Sequence, residues 1–278
     1  MPVKSGRLLC WRWGSGPDLV VLPGVMEALL ERRALAGLMQ RLWGVAARRY
    51  RLTLLSAREA VPPGFTTEQM AQDVAEAVAA LGLDVRLTVG MDAGGLVAQW
   101  LGVRWPQQAG ALALISTPLA GRTPDGMARF LDHLERLLRA DSWLEAFEHA
   151  TAVYLDPALR HRARLPLALL RRWGRPAEMQ RGIRLLTAYR HHDMCHASAP
   201  LQVPVLQVAG GMDPLVGQEP PGAPGKTDGP VGGSLRPSRQ VWLAGEHGAH
   251  LHYWEIVLAE LERFEQERRL ATARSVAS

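Results

Sequence analysis

Residues Gly90-Met91-Asp92-Ala93-Gly94-Gly95 decide how this chain is read. They follow the apolar run Val85-Arg86-Leu87-Thr88-Val89 and precede Leu96-Val97-Ala98-Gln99-Trp100. A strand therefore passes into a helix through a very tight turn, with glycine on both sides of one reactive side chain. Such a turn lifts its central residue clear of the backbone and aims it into a cleft. In the pattern G-x-S-x-G the raised residue is Ser; here it is Asp92. A carboxylate is a nucleophile without a base to deprotonate it, but it attacks different substrates from a hydroxyl.

Two further segments extend the pattern. Val203-Pro204-Val205-Leu206-Gln207-Val208-Ala209-Gly210-Gly211-Met212-Asp213 reads as a buried strand ending in a small-residue turn and an acid. Val241-Trp242-Leu243-Ala244-Gly245-Glu246-His247 reads as a short strand ending in a histidine. Asp92, Asp213 and His247 thus occur in that order, each just past the C-terminal end of a strand, where open α/β sheets place their chemistry. His250 and His252 lie close by and compete with His247 for the role of base. Asp213 also has a plainer reading, as a loop acid capping a helix.

On these residues the chain resembles the α/β-hydrolase superfamily over most of its length. Asp18-Leu19-Val20-Val21-Leu22-Pro23-Gly24 looks like the third strand with its oxyanion loop, and Arg49 to Gly95 like strand four, a helix, strand five and the nucleophile elbow. Thr66 to Asp73 is similar to the capped helix before strand five. Ala111-Leu112-Ala113-Leu114-Ile115-Ser116 resembles strand six, and the Asp213 and His247 segments resemble strands seven and eight. The resemblance implies a mostly parallel central sheet flanked by helices. It also implies oxyanion donors in the backbone N–H groups of Val25 and Ala93. The chain departs from the common pattern at Pro23-Gly24, where the family often has His-Gly, and at Ser56 to Gly64, which replaces a frequent Asp-x-x-Gly-x-Gly turn. A Gly/Pro-rich stretch, Gly217 to Arg239, largely replaces the helix between acid and histidine.

Alternating strand and helix patterns set out the rest. Leu8 to Trp13 and Leu19 to Leu22 read as strands, Glu27 to Trp43 has apolar positions at helical spacing, Arg51 to Leu55 is strand, and Met70 to Leu81 is helical with Gly82 as a stop. Strands alternating with helices predict parallel strands and right-handed crossovers. From Asp125 to about Tyr189 there is no convincing strand, only helical segments broken by Asp156-Pro157, Pro166 and Gly174-Arg175-Pro176. This block predicts a helical cap, residues 119–200, inserted between strands six and seven of a core formed by 1–118 and 201–278. A cap over the strand ends would exclude water. Its aromatic residues Trp143, Trp173, Tyr154 and Tyr189 are read chiefly as packing.

At 278 residues, with 47% hydrophobic and 21% charged residues, the composition is that of a globular protein with a sizeable core. The net charge of +5 comes from arginines interleaved with acids, a solvated surface and not a nucleic-acid footprint. Cys10 and Cys195 make no disulfide framework and no C-x-x-C pair. His191-His192-Asp193-Met194-Cys195-His196 is dense in possible ligands, but contiguous ligands converge poorly on one ion, so it is read as a solvated connector and no metal is expected. No cofactor motif is present, and no apolar run reaches the roughly 18 residues a membrane span needs. The N-terminus enters a strand pattern without an apolar leader. The expectation is a cytoplasmic, cofactor-free protein acting on a small molecule, with no nucleic-acid or membrane partner; oligomeric state is not readable.

Asp at the elbow selects the reaction that the resemblance implies. Attack on an ester would give an anhydride, which is uphill. Attack at a saturated carbon bearing a leaving group gives an alkyl-enzyme ester, which His247, oriented by Asp213, can hydrolyse with water. Epoxide hydrolases and haloalkane or haloacid dehalogenases of this fold resemble that arrangement. The chain lacks the Trp or Arg those groups often carry after the nucleophile, having Ala93, and it lacks their His-Gly-x-Pro oxyanion loop. Tyr154 and Tyr189 are the only cap tyrosines available as an acid. A degenerate protein that binds a small ligand or partner under its cap is the alternative.

Overall fold

The computed structural model describes residues 2–3, 6–154, 179–197, 200–216 and 237–277. Among them eight strands form one sheet in the order β1-β2-β4-β3-β5-β6-β7-β8. These are β1 (Pro2–Val3), β2 (Gly6–Gly14), β3 (Asp18–Leu22), β4 (Arg51–Arg58), β5 (Val85–Met91), β6 (Ala111–Ile115), β7 (Val205–Gly210) and β8 (Arg239–Leu243). From β4 to β8 every pairing is parallel, while β1 and β2 join antiparallel at one edge. Every residue of β3, β6 and β7 is buried. Parallel strands covered on both faces read as unbroken apolar runs for this reason. The edge strand β8 is only half-buried.

Chain order and sheet order part at β3. The chain runs from β3 outward to β4 and then returns to pair β5 on the other side of β3, with Leu22 opposite Gly90. Such a reversal is where open α/β sheets bind their ligands, at the C-terminal ends of the strands, here β3 and β5. The segments Pro23–Val25 and Asp92–Gly94 leave the sheet there.

Helix α3 (Thr67–Ala80) starts at a capping box, Thr66 Oγ1 accepting from Gln69 N while Gln69 Oε1 accepts from Thr66 N. Such a cap stabilises a helix start by about 1 kcal/mol. Helix α4 (Gly94–Arg104), which follows Asp92, is buried from Gly94 to Val103 and fixes the direction in which the elbow points. The apolar run expected to form one helix from Glu27 to Trp43 is instead broken into α1 (Met26–Leu29) and α2 (Arg32–Leu42). Leu30 is extended there, and the Glu31 side chain caps α2 by accepting from Arg33 N and Ala34 N. Strand β4 runs three residues beyond the expected Leu55.

Between β6 and β7 lie helices α6 (Asp125–Arg139), α7 (Trp143–Tyr154) and α8 (Met179–Arg190), after the short α5 (Pro106–Ala109) that precedes β6. Helix α6 buries Met127, Phe130, Leu131, Leu134 and Leu138, a stripe at helical spacing, and packs it on α8. The predicted breaks at Asp156-Pro157, Pro166 and Gly174 to Pro176 lie outside the described residues, as does most of the Gly217 to Arg239 stretch. Short α9 (Ala249–His252) and long α10 (Trp254–Ala277) close the chain. No helix among the described residues is long and apolar enough to cross a membrane.

The His191 to His196 segment differs from the solvated connector expected. His192 is buried, its Nδ1 paired with Thr67 Oγ1 at 2.8 Å, and burial pushes its pKa down to about 4 against the opposing pull of Asp193. Asp193 accepts from Cys195 N and pairs with Arg122. No group of three or more potential metal ligands gathers among the described residues.

Candidate active site

Asp92 has φ +49, the left-handed region that costs a non-glycine residue on the order of 1–3 kcal/mol. The neighbouring structure holds the strain in place. Asp92 N donates to Ile115 O at 2.8 Å, and Thr117 Oγ1 donates to Asp92 O at 2.8 Å. A side chain at Gly90 would strike Gly95 Cα at 2.4 Å, so the turn closes this tightly only around glycines. Gly24 is constrained by space: a Cβ there would lie 2.7 Å from both Asp92 Cβ and Oδ2.

The structure brings Asp92, Asp213 and His247 together at the C-terminal edge of the sheet, each at most 2% exposed. His247 Nδ1 pairs with Asp213 Oδ2 at 2.8 Å. Asp213 Oδ1 accepts from Leu215 N and Val216 N, which fixes the carboxylate's orientation. On the other side of the ring, His247 Nε2 faces Asp92 Oδ1 at 3.6 Å. His250 does not compete for the acid. Its Nδ1 lies 2.7 Å from Ser116 Oγ, which donates to His247 O, so Ser116 and His250 hold the backbone of His247. Burial beside His247 holds the His250 pKa down at about 3, keeping the ring neutral.

The two oxygens of Asp92 differ. Oδ2 accepts from Val25 N at 3.0 Å and from the Tyr154 hydroxyl at 2.7 Å. Oδ1 has no hydrogen-bond partner among the described residues, nor has His247 Nε2. Two donors thus meet on Oδ2, the Val25 N–H and the Tyr154 hydroxyl.

Burial raises the Asp92 pKa above the ordinary carboxylate value, opposed by the charge of His247 and the bonds from Tyr154 and Val25. Burial pulls His247 down, but its hydrogen bond to Asp213 and the nearby carboxylate charges outweigh this, and its pKa is raised. The site therefore retains a proton on the imidazole more readily than a free histidine would. Tyr154 is held well above 10 by burial and by the charge of Asp92, so it is a donor throughout the ordinary pH range.

Tyr189 is committed elsewhere. Its hydroxyl donates to Glu27 Oε1, while Glu27 Oε2 accepts from Ser56 Oγ at 2.6 Å and Ala57 N at 3.0 Å. Arg181 donates to the carbonyls of Glu27, Ala57 and Arg58. This network ties α8 to the segment that presents Val25. Sequence reasoning missed it because Glu27 falls in an apolar helical run and bears no motif. Tyr154 was visible only as one of two cap tyrosines.

Comparison with known proteins fits the architecture. No protein-family model matches the chain. RutD of Caulobacter segnis, named provisionally as a carbamate hydrolase, is 30% identical over 174 residues, 59% of this chain. The match spans only 58% of that relative's length. A hydrolase from Pseudomonas aeruginosa PA01 superposes with a TM-score of 0.68 at 21% identity, covering 92% of this chain and 93% of its own. The enol-lactonase of Burkholderia xenovorans LB400 superposes with a TM-score of 0.68 at 17% identity, covering 94% and 97%. The chain has the α/β-hydrolase fold. Within that fold the elbow carries Asp92, with acid and histidine following in chain order.

Proposed function

We propose that the protein is a hydrolase that transfers an alkyl group to Asp92 and then releases it with water. Asp92, Asp213 and His247 are its catalytic residues, and α6 to α8 belong to a cap over them. The observation that carries this reading is the asymmetry of the Asp92 carboxylate. One oxygen is held by two donors; the other is buried, has no hydrogen-bond partner among the described residues and faces His247 Nε2. Leaving a buried acceptor unpaired costs about 1–3 kcal/mol, so the arrangement favours a reagent over a structural acid.

In the first step Oδ1 attacks a saturated carbon, a C–O bond forms, and the leaving group departs with its electron pair. In the second, His247 Nε2 takes a proton from water, whose oxygen adds to Asp92 Cγ. The Cγ–Oδ1 bond then breaks, and the alcohol leaves carrying Oδ1 and the proton returned by His247. Asp213 keeps the ring oriented and stabilises the imidazolium. The substrates are small, largely apolar epoxides or alkyl halides.

Mass spectrometry of the His247→Ala protein after exposure to a panel of both electrophiles tests the reading. A stable mass increment on Asp92 is expected, and its absence with every member would overturn the proposal. The likeness to RutD favours a second reading, a carbamate substrate. There Asp92 would form an unstable mixed anhydride, so His247 would activate water directly. That reading predicts carbamate turnover in the wild type and no adduct in His247→Ala.

A further inference from the structure

We infer that Tyr154 is a catalytic residue of the second step, the side-chain half of an oxyanion hole whose backbone half is Val25 N–H. This rests on Asp92 being the nucleophile. The two donors meet on one atom, Asp92 Oδ2, at 2.7 and 3.0 Å. In the resting enzyme that atom is a carboxylate oxygen. After alkylation of Oδ1 it is the carbonyl oxygen of the ester. When water adds to Cγ, with its proton passing to His247, Oδ2 takes the negative charge of the tetrahedral intermediate. Both donors are already in place on that atom before the reaction begins, which is the preorganisation that makes such donors effective.

The alternative task for a cap tyrosine is to protonate the leaving oxygen of an epoxide. Tyr154 is poorly placed for it. Its hydroxyl is engaged on the nucleophile's retained oxygen, Oδ2, and not on the attacking Oδ1. Its main chain is also seated firmly. A Cβ at Gly248, directly after His247, would lie 2.1 Å from Tyr154 O, so the end of α7 rests against the bare backbone of the turn that carries the base. The Tyr154 and His247 rings are 5.2 Å apart between centroids. One residue of the helical insertion is thus fixed against both the nucleophile and the base.

The test is rapid-quench intact-mass analysis of wild type and Tyr154→Phe with 1-bromobutane and, separately, with styrene oxide. For both probes the Asp92 adduct should form in Tyr154→Phe within about threefold of the wild-type rate. Its decay should slow about 10²-fold, the typical effect of deleting one oxyanion donor. Replacing Tyr154 alone by 3-fluorotyrosine, a stronger donor of nearly the same shape, should leave decay as fast as wild type or faster. The inference is overturned if Tyr154→Phe slows adduct formation with styrene oxide only and leaves decay unchanged, since Tyr154 would then be the leaving-group acid. It is equally overturned if 3-fluorotyrosine slows decay as much as Phe does. If neither wild type nor His247→Ala forms an adduct with either probe, the Asp92 reading itself fails and takes this inference with it.

Discussion

Asp92 and Glu27 are both buried carboxylates, and both accept a hydrogen bond from a tyrosine of the helical insertion and one from a backbone N–H. They differ in what is left over. Glu27 has each oxygen engaged, Oε1 by Tyr189 and Oε2 by Ser56 and Ala57, with the Arg181 guanidinium 3.9 Å away. Asp92 has one oxygen engaged and one facing an imidazole nitrogen beyond bonding distance. A fully satisfied buried carboxylate is a clamp; a half-satisfied one opposite a base is equipped for chemistry. His192 marks the limit of that rule, because its Nε2 is also buried without a hydrogen-bond partner among the described residues.

The largest effect should come from Asp92→Asn. Turnover and adduct formation should fall by at least 10³-fold, as when a nucleophile is removed, while the urea midpoint stays level or rises because a desolvated charge has gone. A fall in stability comparable to the loss at Glu27 would erase the contrast between the two acids.

Glu27→Ala should do the opposite. Taking the acceptor from Tyr189, Ser56 and Ala57, and the negative charge from beside the Arg181 guanidinium, should lower unfolding free energy by about 3 kcal/mol, and Glu27→Gln, which can still accept, by about half that. Urea denaturation followed by circular dichroism measures both, and a loss under 1 kcal/mol for Glu27→Ala would show that the clamp contributes little.

His192 sharpens the contrast through pH. Its folded pKa of about 4 lies below the ordinary value of 6.5, so the unfolded chain binds more protons between these values. Its contribution is complete above pH 6.5 and is lost as pH falls towards 4, by at most about 3 kcal/mol. His192→Asn, which can still hydrogen-bond Thr67, should reduce the slope of the stability profile over that window and leave the share that His250 contributes. An unchanged slope would show that another group governs it.

The smallest expected difference lies between the two tyrosines. Tyr189→Phe strips Glu27 Oε1 of its donor and should cost about 2 kcal/mol. Tyr154→Phe leaves Asp92 Oδ2 with Val25 N and should cost under about 1. Thermal melts of the two proteins check the ordering, and equal losses would remove it.

Much of the fold was legible because unbroken apolar runs between glycine-rich turns and helical stripes have few other uses. Asp92, Asp213 and His247 were legible because each ends a strand, and strand ends show as changes of periodicity. Local caps hid other features. The break before Glu31 carries neither proline nor glycine, and glutamate is an uncommon cap, so one apolar stripe read as one helix. His192 looked solvated because a run of histidines gives no sign of which ring meets Thr67. The Tyr154 and Glu27 contacts join residues far apart in the chain, and no local pattern encodes them.

That separation bears on how the protein acquires its site. Val25 and Asp92 are 67 residues apart, Tyr154 and Asp92 62, and Asp213 and His247 34. No hairpin or helix pair can form any of these contacts early, since each closes a long loop and gains nothing until the parallel strands beneath it have paired. The carboxylate's surroundings therefore mature only when the central sheet is complete and α7 has docked. On dilution from denaturant, recovery of reactivity at Asp92 should lag the return of secondary structure, which makes this side chain a built-in clock for the final stage of folding.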